Sequence, residues 1–275
     1  MCTKRNVRWT HHDHAVAGNG VCMSDTSRKQ AIAAYEQAYS ASDFEVIQAR
    51  YRKKLLLSLL DKMQPKRLLE IGCGWETIAN HWPAYEQLTI VEPGANFADK
   101  ARADTASRQG VTVIEHFLEE AVDQLKQQSY DLILVSSLLH EVPDPAAILQ
   151  GVKRLCHAET LVHVNVPNAR SMHRLLAVEM GLISEVYTPS ELQQTFNQPR
   201  IFDLTQLQAL AEGVGFKVAE SGSFFMKPFT HGQMMSLVES GFMSEKMLDG
   251  LWRLTKYFPD AGSEIYVNLY CGDKK

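Results

Sequence analysis

The segment Leu68-Leu69-Glu70-Ile71-Gly72-Cys73-Gly74 decides the fold of this chain. A short apolar run ends in two glycines around one small residue, which is the pattern of a buried strand followed by a tight turn. Glycines at such a turn let the backbone approach a ligand closely, and a helix that follows offers free N–H groups. Thr77 stands where a dinucleotide fingerprint would place a third glycine, so the pattern departs from pyrophosphate-binding sites. Alone, the turn indicates only a nucleotide-like crevice.

Short apolar runs alternate with amphipathic segments downstream of this turn. Strands that alternate with helices in this way form a parallel sheet with helices on both faces. We therefore predict an α/β fold with a Rossmann-like, seven-stranded, mostly parallel sheet, in which the last strand is antiparallel. The predicted strands cover residues 67–71, 88–91, 111–115, 130–136, 160–166, 216–220 and 264–270.

The remaining segments predict the domain organisation. Residues 1–24 have no periodicity and are expected to form a poorly ordered arm. Residues 25–64 are expected to form an N-terminal helical lid, and residues 65–275 the Rossmann-like domain. Two helical insertions, at about 168–203 and 223–260, follow strand ends and are expected to lie over the crevice.

Composition narrows the choice of partners. The chain has 275 residues, is 45% hydrophobic and carries a formal net charge of -4, which does not favour nucleic acid. Its five cysteines show no metal-type spacing, and its apolar runs are too short to span a membrane. We expect a cytoplasmic protein that binds a small molecule, without a metal, a membrane or a nucleic acid. The sequence does not indicate the oligomeric state.

Glu92 ends the second predicted strand, about twenty residues beyond the glycine turn. A carboxylate at that position can accept hydrogen bonds from both hydroxyls of a ribose. An isolated glutamate at a strand end would more simply be solvated. Its register with the glycine turn favours ribose binding.

Four segments together resemble the class I S-adenosylmethionine-dependent methyltransferases, over about residues 66 to 166. The segments are 68–74, 89–93, 113–119 and 130–145. The resemblance implies S-adenosylmethionine as the cofactor. Phe117 can alternatively be a core residue, and the two serines can be simple strand-end hydrogen bonders. The cofactor-binding residues that the resemblance implies are Glu70, Gly72, Cys73, Gly74, Glu92, Phe117, Ser136 and Ser137.

Three residues are candidates for catalysis. His140 lies in the loop 138–145, which faces the transferring methyl group in this superfamily, and its ordinary pKa suits a general base. His173 follows the fifth strand, and Tyr35 lies on the predicted lid, where its ring could face a sulfonium. Local packing or capping is the alternative role for each of the three.

The segments 165–175 and 224–228 resemble a bacterial branch of these methyltransferases that is linked to glycan or secondary-metabolite pathways. Their positions beside the crevice make Asn165, Asn168 and Arg174 substrate-side candidates. A helix-surface charge is the alternative for Arg174.

Three functions remain open on the sequence. The first is methyl transfer to an oxygen or nitrogen of a small molecule, in bacterial secondary metabolism. The second is cyclisation of S-adenosylmethionine itself to azetidine-2-carboxylate and methylthioadenosine, as in the azetidine-2-carboxylate synthases. The third is a non-catalytic module that binds the cofactor. Formation of methylthioadenosine without any acceptor would separate the second from the first.

Overall fold

The computed structural model describes residues 32, 36, 43–189 and 200–272. The predicted arm, residues 25–31, 33–35 and 37–42 of the predicted lid, which include Tyr35, and residues 190–199 of the first insertion lie outside the described residues. The predictions for these segments therefore stay predictions.

Seven strands and eight α-helices make up the described part of the chain. The strands are β1 (Arg67–Ile71), β2 (Gln87–Val91), β3 (Val111–Ile114), β4 (Leu132–Ser136), β5 (Leu161–Pro167), β6 (Lys217–Phe224) and β7 (Glu264–Tyr270). The helices are α1 (Asp43–Met63), α2 (Ala95–Thr105), α3 (Leu118–Leu125), α4 (Pro145–Lys153), α5 (Met172–Glu179), α6 (Leu204–Gly213), α7 (His231–Glu239) and α8 (Glu245–Leu254).

The strands form one sheet in the order β3-β2-β1-β4-β5-β7-β6. Neighbouring strands from β3 to β5 pair in parallel, and β7 runs antiparallel to both β5 and β6. The prediction of a seven-stranded, mostly parallel sheet with an antiparallel last strand is therefore confirmed. The chain order reverses between β1 and β4, and ligands of open α/β sheets bind at the carboxyl ends of the strands at such a point.

Helices bury both faces of the sheet. On one face, α3, α4 and α6 contribute Leu125, Leu149 and Leu207 to the core. On the other face, Leu60 of α1 and Ala101 of α2 pack against β1 and β2. Strands covered on both sides become continuous apolar runs, which is why β1 and β4 were recognisable in the sequence.

The helix expected after the glycine turn is not an α-helix. Only a 3-10 turn, Ile78–Asn80, follows the glycine loop. Pro83, three residues beyond Asn80, does not allow an α-helix to continue there. β6 is longer than predicted, because it pairs with β7 as far as Phe224 and Glu264.

Helix α1 contacts two regions of the core. Its carboxyl half packs on the sheet through Leu56 and Leu60. Its amino half joins a separate aromatic cluster, in which the Tyr51 and Phe225 rings stack with centroids 4.4 Å apart. The helix is thereby fixed across the carboxyl edge of the sheet. In the described residues, no helix is both long and apolar enough to cross a membrane.

Candidate functional site

The glycine loop after β1 has the conformation that glycine favours. Gly72 and Gly74 have φ angles of +72° and +55°. A Cβ on Gly72 would contact the side chain of Leu138, whereas one on Gly74 would meet no atom within 4 Å. The outer face of the loop at Gly74 is therefore open, and a ligand can approach its backbone there.

Glu92 joins two loops at the carboxyl edge of the sheet. Its carboxylate accepts hydrogen bonds from the backbone N–H of Gly74, at 3.0 Å, and of Gly94, at 2.9 Å. The side chain is buried, and burial raises the pKa of the carboxyl above its ordinary value. The structure thus brings Glu92 to the glycine loop, as its register in the sequence predicts.

Glu70 lies behind the same loop. Its carboxylate accepts hydrogen bonds from the Thr77 hydroxyl and from the Ile78 N–H, at 2.9 Å for the latter. Burial raises the pKa of Glu70 to about 7. Burial also raises the pKa of the Cys73 thiol far above its ordinary value, so Cys73 is a small apolar residue and not a nucleophile. Glu70 holds the short turn that follows β1.

Ser136 and Ser137 end β4 next to β1. Asn165 of β5 binds both of them: its Nδ2 donates to Ser136 Oγ at 3.0 Å, and its Oδ1 accepts from the Ser137 N–H at 3.1 Å. Ser137 has a φ of +54°, an uncommon conformation for a residue other than glycine. Phe117, half-buried, is the N-cap residue of α3 after β3. These positions lie at the carboxyl ends of β3 and β4, the same edge of the sheet as the glycine loop after β1.

A second group of polar side chains lies over the β5 and β7 side of this edge. We call it the polar cluster. Arg52 of α1 donates to both carboxylate oxygens of Glu264, at 2.6 and 2.8 Å, and also to Glu45 at 3.0 Å. Gln48 donates to Glu264 at 3.0 Å. The cluster comprises Glu45, Gln48, Arg52, His140, His173, Lys227, His231 and Glu264.

Two cluster members connect this ion pair to the segment after β6. His231 Nε2 lies 3.6 Å from Glu45 Oε2 and 3.4 Å from Lys227 Nζ. The backbone carbonyl of Lys227 accepts a hydrogen bond from the N–H of His173 at 3.1 Å. The polar cluster is therefore built from α1, α5, α7, the loop after β4 and the ends of β6 and β7.

Several buried polar atoms in and beside the cluster have no hydrogen-bond partner among the described residues. Leaving such an atom without a partner costs about 1–3 kcal/mol, so water or a ligand normally meets it. One further atom of this kind, Trp82 Nε1, lies elsewhere. The atoms in this region are Gln48 Oε1, His140 Nδ1, Ser171 Oγ, His173 Nδ1 and Ser263 Oγ. The concentration of unpartnered polar atoms distinguishes this region from the rest of the interior.

The two histidines proposed for catalysis are both neutral imidazoles, and His140 is buried whereas His173 is half-buried. Burial lowers the pKa of His140 to about 3, helped by the positive charge of Arg52. Burial, with Lys227 and Arg174, lowers the pKa of His173 to about 2. Neither side chain is protonated at neutral pH, and each leaves Nδ1 unpartnered. The unpartnered Nδ1 of each can form a hydrogen bond with a ligand, but both imidazoles are weak bases.

The three substrate-side candidates have partners within the protein. The Asn168 amide donates to the carbonyls of Asp260 and Gly262 at 2.9 and 2.8 Å. The Arg174 guanidinium donates to the Val186 and Thr188 carbonyls. Asn165, as described, joins β4 to β5. Each side chain orients neighbouring backbone, and its predicted contact with a substrate stays a prediction.

Sequence reasoning missed Glu45, Arg52, Lys227, His231 and Glu264. They come from segments as far as 219 positions apart, and none belongs to a local motif. The only available signal was a lysine in the apolar segment 224–228. Among the described residues, no three histidine, cysteine or acidic side chains are placed to hold a metal ion.

Comparison with known proteins gives a family and a fold. Residues 44–221 match a family model described as a methyltransferase domain. Comparison of the sequence with curated proteins finds no match.

Solved structures with similar folds cover nearly the whole chain. A methyltransferase from Thermotoga maritima, described as a possible histamine N-methyltransferase, has 18% identity and a TM-score of 0.55, over 88% of this chain and 100% of that one. The N-methyltransferase NodS of Bradyrhizobium japonicum, solved with S-adenosylhomocysteine, has 12% identity and a TM-score of 0.53, over 89% and 98%. The plantazolicin methyltransferase BamL, solved with a triazolic desmethylplantazolicin analogue and S-adenosylhomocysteine, has 16% identity and a TM-score of 0.52, over 90% and 99%.

Proposed function

The chain belongs to the S-adenosylmethionine-dependent methyltransferases, and from that membership we propose that it methylates an oxygen or nitrogen of a polar small molecule held at the polar cluster. The observation that carries the proposal is the group of buried, unpartnered polar atoms around His140 and His173. His140 follows β4 and His173 follows β5, so both lie at the carboxyl ends of the strands, where open α/β sheets bind their ligands. A polar acceptor would satisfy the unpartnered atoms.

The residues at the glycine loop fit the cofactor. Gly74 leaves its outer face free, and a cradle of this kind suits a ligand that lies against the backbone. Glu92 would hold the ribose hydroxyls, and Gly72 and Gly74 would contact the methionine portion. Glu70 positions the loop from behind, through Thr77 and Ile78. Phe117, Ser136 and Ser137 would complete the cofactor site at the ends of β3 and β4.

S-adenosylmethionine supplies an activated, electrophilic methyl group. The protein therefore mainly aligns the acceptor and excludes water, and a strong base is not needed. A reaction that needs no strong base is compatible with His140 and His173, since their low pKa values make them weak bases. With its proton on Nε2, which lies 3.5 Å from Glu141 Oε1, His140 presents an Nδ1 lone pair. An acceptor O–H or N–H can donate to that atom and be oriented by it.

Bacterial secondary metabolism is part of the proposal. The resemblance of residues 165–175 and 224–228 to a secondary-metabolite branch supports it, and so does the fold similarity to a plantazolicin methyltransferase.

Product analysis tests the proposed reaction. The purified protein is incubated with S-adenosylmethionine, with and without fractionated small-molecule extracts, and the nucleosides are separated by liquid chromatography and mass spectrometry. We expect S-adenosylhomocysteine only when an acceptor fraction is present, together with a product heavier by one methylene unit. Methylthioadenosine formed from the cofactor alone would overturn the proposal and establish cyclisation. Absence of both nucleosides with every fraction would favour a module that only binds the cofactor.

The matched control for that experiment is His140→Asn beside His157→Asn. His140 is buried in the polar cluster, whereas His157 lies after α4, at the opposite edge of the sheet. We expect S-adenosylhomocysteine formation to fall about 10-fold or more in the first variant and to be unchanged in the second.

A further inference from the structure

Lys227 is the cation of the polar cluster that has no anionic partner. Its side chain is only 3% exposed. Among the described residues, no carboxylate lies within ion-pair distance of its Nζ, and its one hydrogen-bond partner is His231 Nε2 at 3.4 Å. An ammonium group has three donors, so two of them face no acceptor of the described protein.

The nearby carboxylates do not fill this role. Glu264 is held by both nitrogens of the Arg52 fork and by Gln48, and Glu45 is held by Arg52 as well. Their charges do act on Lys227 from a distance and raise its pKa, but desolvation outweighs them and lowers the pKa of Lys227 to about 8. The amine is therefore protonated at neutral pH, buried and without a direct counter-ion.

Burying such a group costs free energy unless it is paired. The imidazoles of His173 and His231 border the amine. Both are neutral, because burial lowers the pKa of His173 to about 2 and that of His231 to about 3. Neutral imidazoles can donate a hydrogen bond to an oxyanion without adding charge. An anion that accepts hydrogen bonds from the amine and the imidazoles would therefore complete the surroundings of Lys227.

We propose that Lys227, flanked by His173 and His231, binds an oxyanion of the methyl acceptor, a carboxylate or a phosphate. The proposal rests on the proposed function, since it names the chemical class of the same acceptor. Lys227 follows β6, on the β5–β7 side of the sheet, whereas the glycine loop and Glu92 lie between β1 and β2. The lysine is therefore assigned to the acceptor and not to the carboxylate of the cofactor.

Binding of simple oxyanions tests this assignment without knowledge of the acceptor. The midpoint of thermal unfolding is measured with acetate, benzoate or phosphate, each against chloride at equal ionic strength and with S-adenosylhomocysteine present. We expect at least one oxyanion to raise the midpoint by about 2 °C or more. A larger rise with acetate or benzoate identifies a carboxylate, and a larger rise with phosphate identifies a phosphate ester.

Two variants make the test specific. Lys227→Met keeps the length of the side chain and removes the buried charge, so its unfolding midpoint in chloride should equal or exceed that of the wild type. The oxyanion effect should be absent in Lys227→Met and retained in Lys246→Met, which removes an exposed lysine of α8. An oxyanion effect that persists in Lys227→Met, or is absent from the wild type, would overturn the proposal.

A cofactor measurement separates this inference from the proposed function. Calorimetric titration should give the same affinity for S-adenosylhomocysteine in the wild type and in Lys227→Met, within about twofold. A loss of tenfold or more would place Lys227 in the cofactor site and refute its assignment to the acceptor. Failure of methyl transfer with every extract would count against the proposed function while leaving the oxyanion result to stand by itself.

Discussion

Arg52 of α1 and Glu264 of β7 form a forked ion pair, with Nη2 and Nε at 2.6 and 2.8 Å from the two carboxylate oxygens. Glu264 is fully buried, and its charge raises the pKa of Arg52 well above the ordinary value. The pair joins a helix near the amino end of the described chain to the last strand. It thereby fixes one wall of the polar cluster.

Breaking this pair should destabilise the fold strongly. Arg52→Met leaves the carboxylate of Glu264 buried without its charge partner, and we expect a loss of about 3–5 kcal/mol in the free energy of unfolding. Urea denaturation measures it. Arg50→Met is the control, since Arg50 pairs with the exposed Glu245 and should lose less than about 1 kcal/mol. Equal losses in the two variants would show that the buried pair has no special role.

Glu92→Gln should weaken cofactor binding. The Glu92 carboxylate accepts hydrogen bonds from two backbone N–H groups. Glutamine replaces one of these oxygens with an NH2 group, which would place a hydrogen-bond donor against a backbone N–H. We expect the affinity for S-adenosylhomocysteine to fall about 10- to 100-fold, measured by calorimetry. Glu86→Gln, at an exposed glutamate just before β2, should bind normally. An unchanged affinity in Glu92→Gln would remove Glu92 from the cofactor site.

Gly74→Ala separates backbone strain from ligand binding. An alanine at a φ of +55° costs roughly 1–2 kcal/mol, and its methyl group would occupy the open face of the loop. Gly241→Ala, at a φ of +76° and with the same open surroundings, carries the same strain after α7. We expect similar unfolding midpoints for the two variants, but loss of S-adenosylhomocysteine binding only in Gly74→Ala. Normal binding by Gly74→Ala would show that the cofactor does not lie against this face.

Four histidines, two of them buried and two half-buried, should make the protein acid-sensitive. Burial lowers each pKa below the ordinary 6.5, so these side chains are neutral in the folded state and protonated in the unfolded chain at mildly acid pH. Their stabilising contribution is complete above pH 6.5 and is lost as pH falls, by as much as about 1.4 kcal/mol per pH unit for each. Glu70 acts in the opposite direction, because burial raises its pKa to about 7. Between its ordinary pKa and about pH 7 the folded protein holds a proton on this carboxyl that the unfolded chain does not, so this group stabilises the fold as the pH falls. The four are His140, His163, His173 and His231, with pKa values of about 3, 4, 2 and 3.

Urea denaturation at a series of pH values tests this expectation. The free energy of unfolding should fall steadily below pH 6.5. His163 is also held by Asn268 at 2.7 Å, inside the sheet, and His163→Gln should reduce the slope. A free energy of unfolding that stays constant from pH 7 to pH 5 would contradict the burial of these imidazoles.

The candidate cofactor residues could be proposed from the sequence because they lie close together along the chain. Strand β1, its glycine turn and Glu92 lie within 26 positions. They belong to a regular alternation of short apolar runs and amphipathic segments. Asn165 was predicted as a substrate-side residue, yet no pattern could show that its amide would bind Ser136 and Ser137 and so join β5 to the end of β4.

The polar cluster depends on contacts between distant segments, which the periodicity of the sequence does not indicate. Glu264 looks like an ordinary first residue of a strand, and Arg52 like an exposed position of an amphipathic helix. Only the antiparallel insertion of β7 between β5 and β6 brings Glu264 to the same edge as β5. The short turn after β1 was mispredicted for a similar reason, because Glu70 and Pro83 restrict it through contacts and sterics that helical propensity does not describe.

A crystal structure with bound S-adenosylhomocysteine tests the central claim most directly. We predict that the ligand lies on the open face of Gly74, with its ribose hydroxyls on Glu92 and its sulfur directed toward the polar cluster at His140 and His173. A sulfur directed away from the cluster, or a cluster sealed from it by protein, would contradict transfer of the methyl group to an external acceptor.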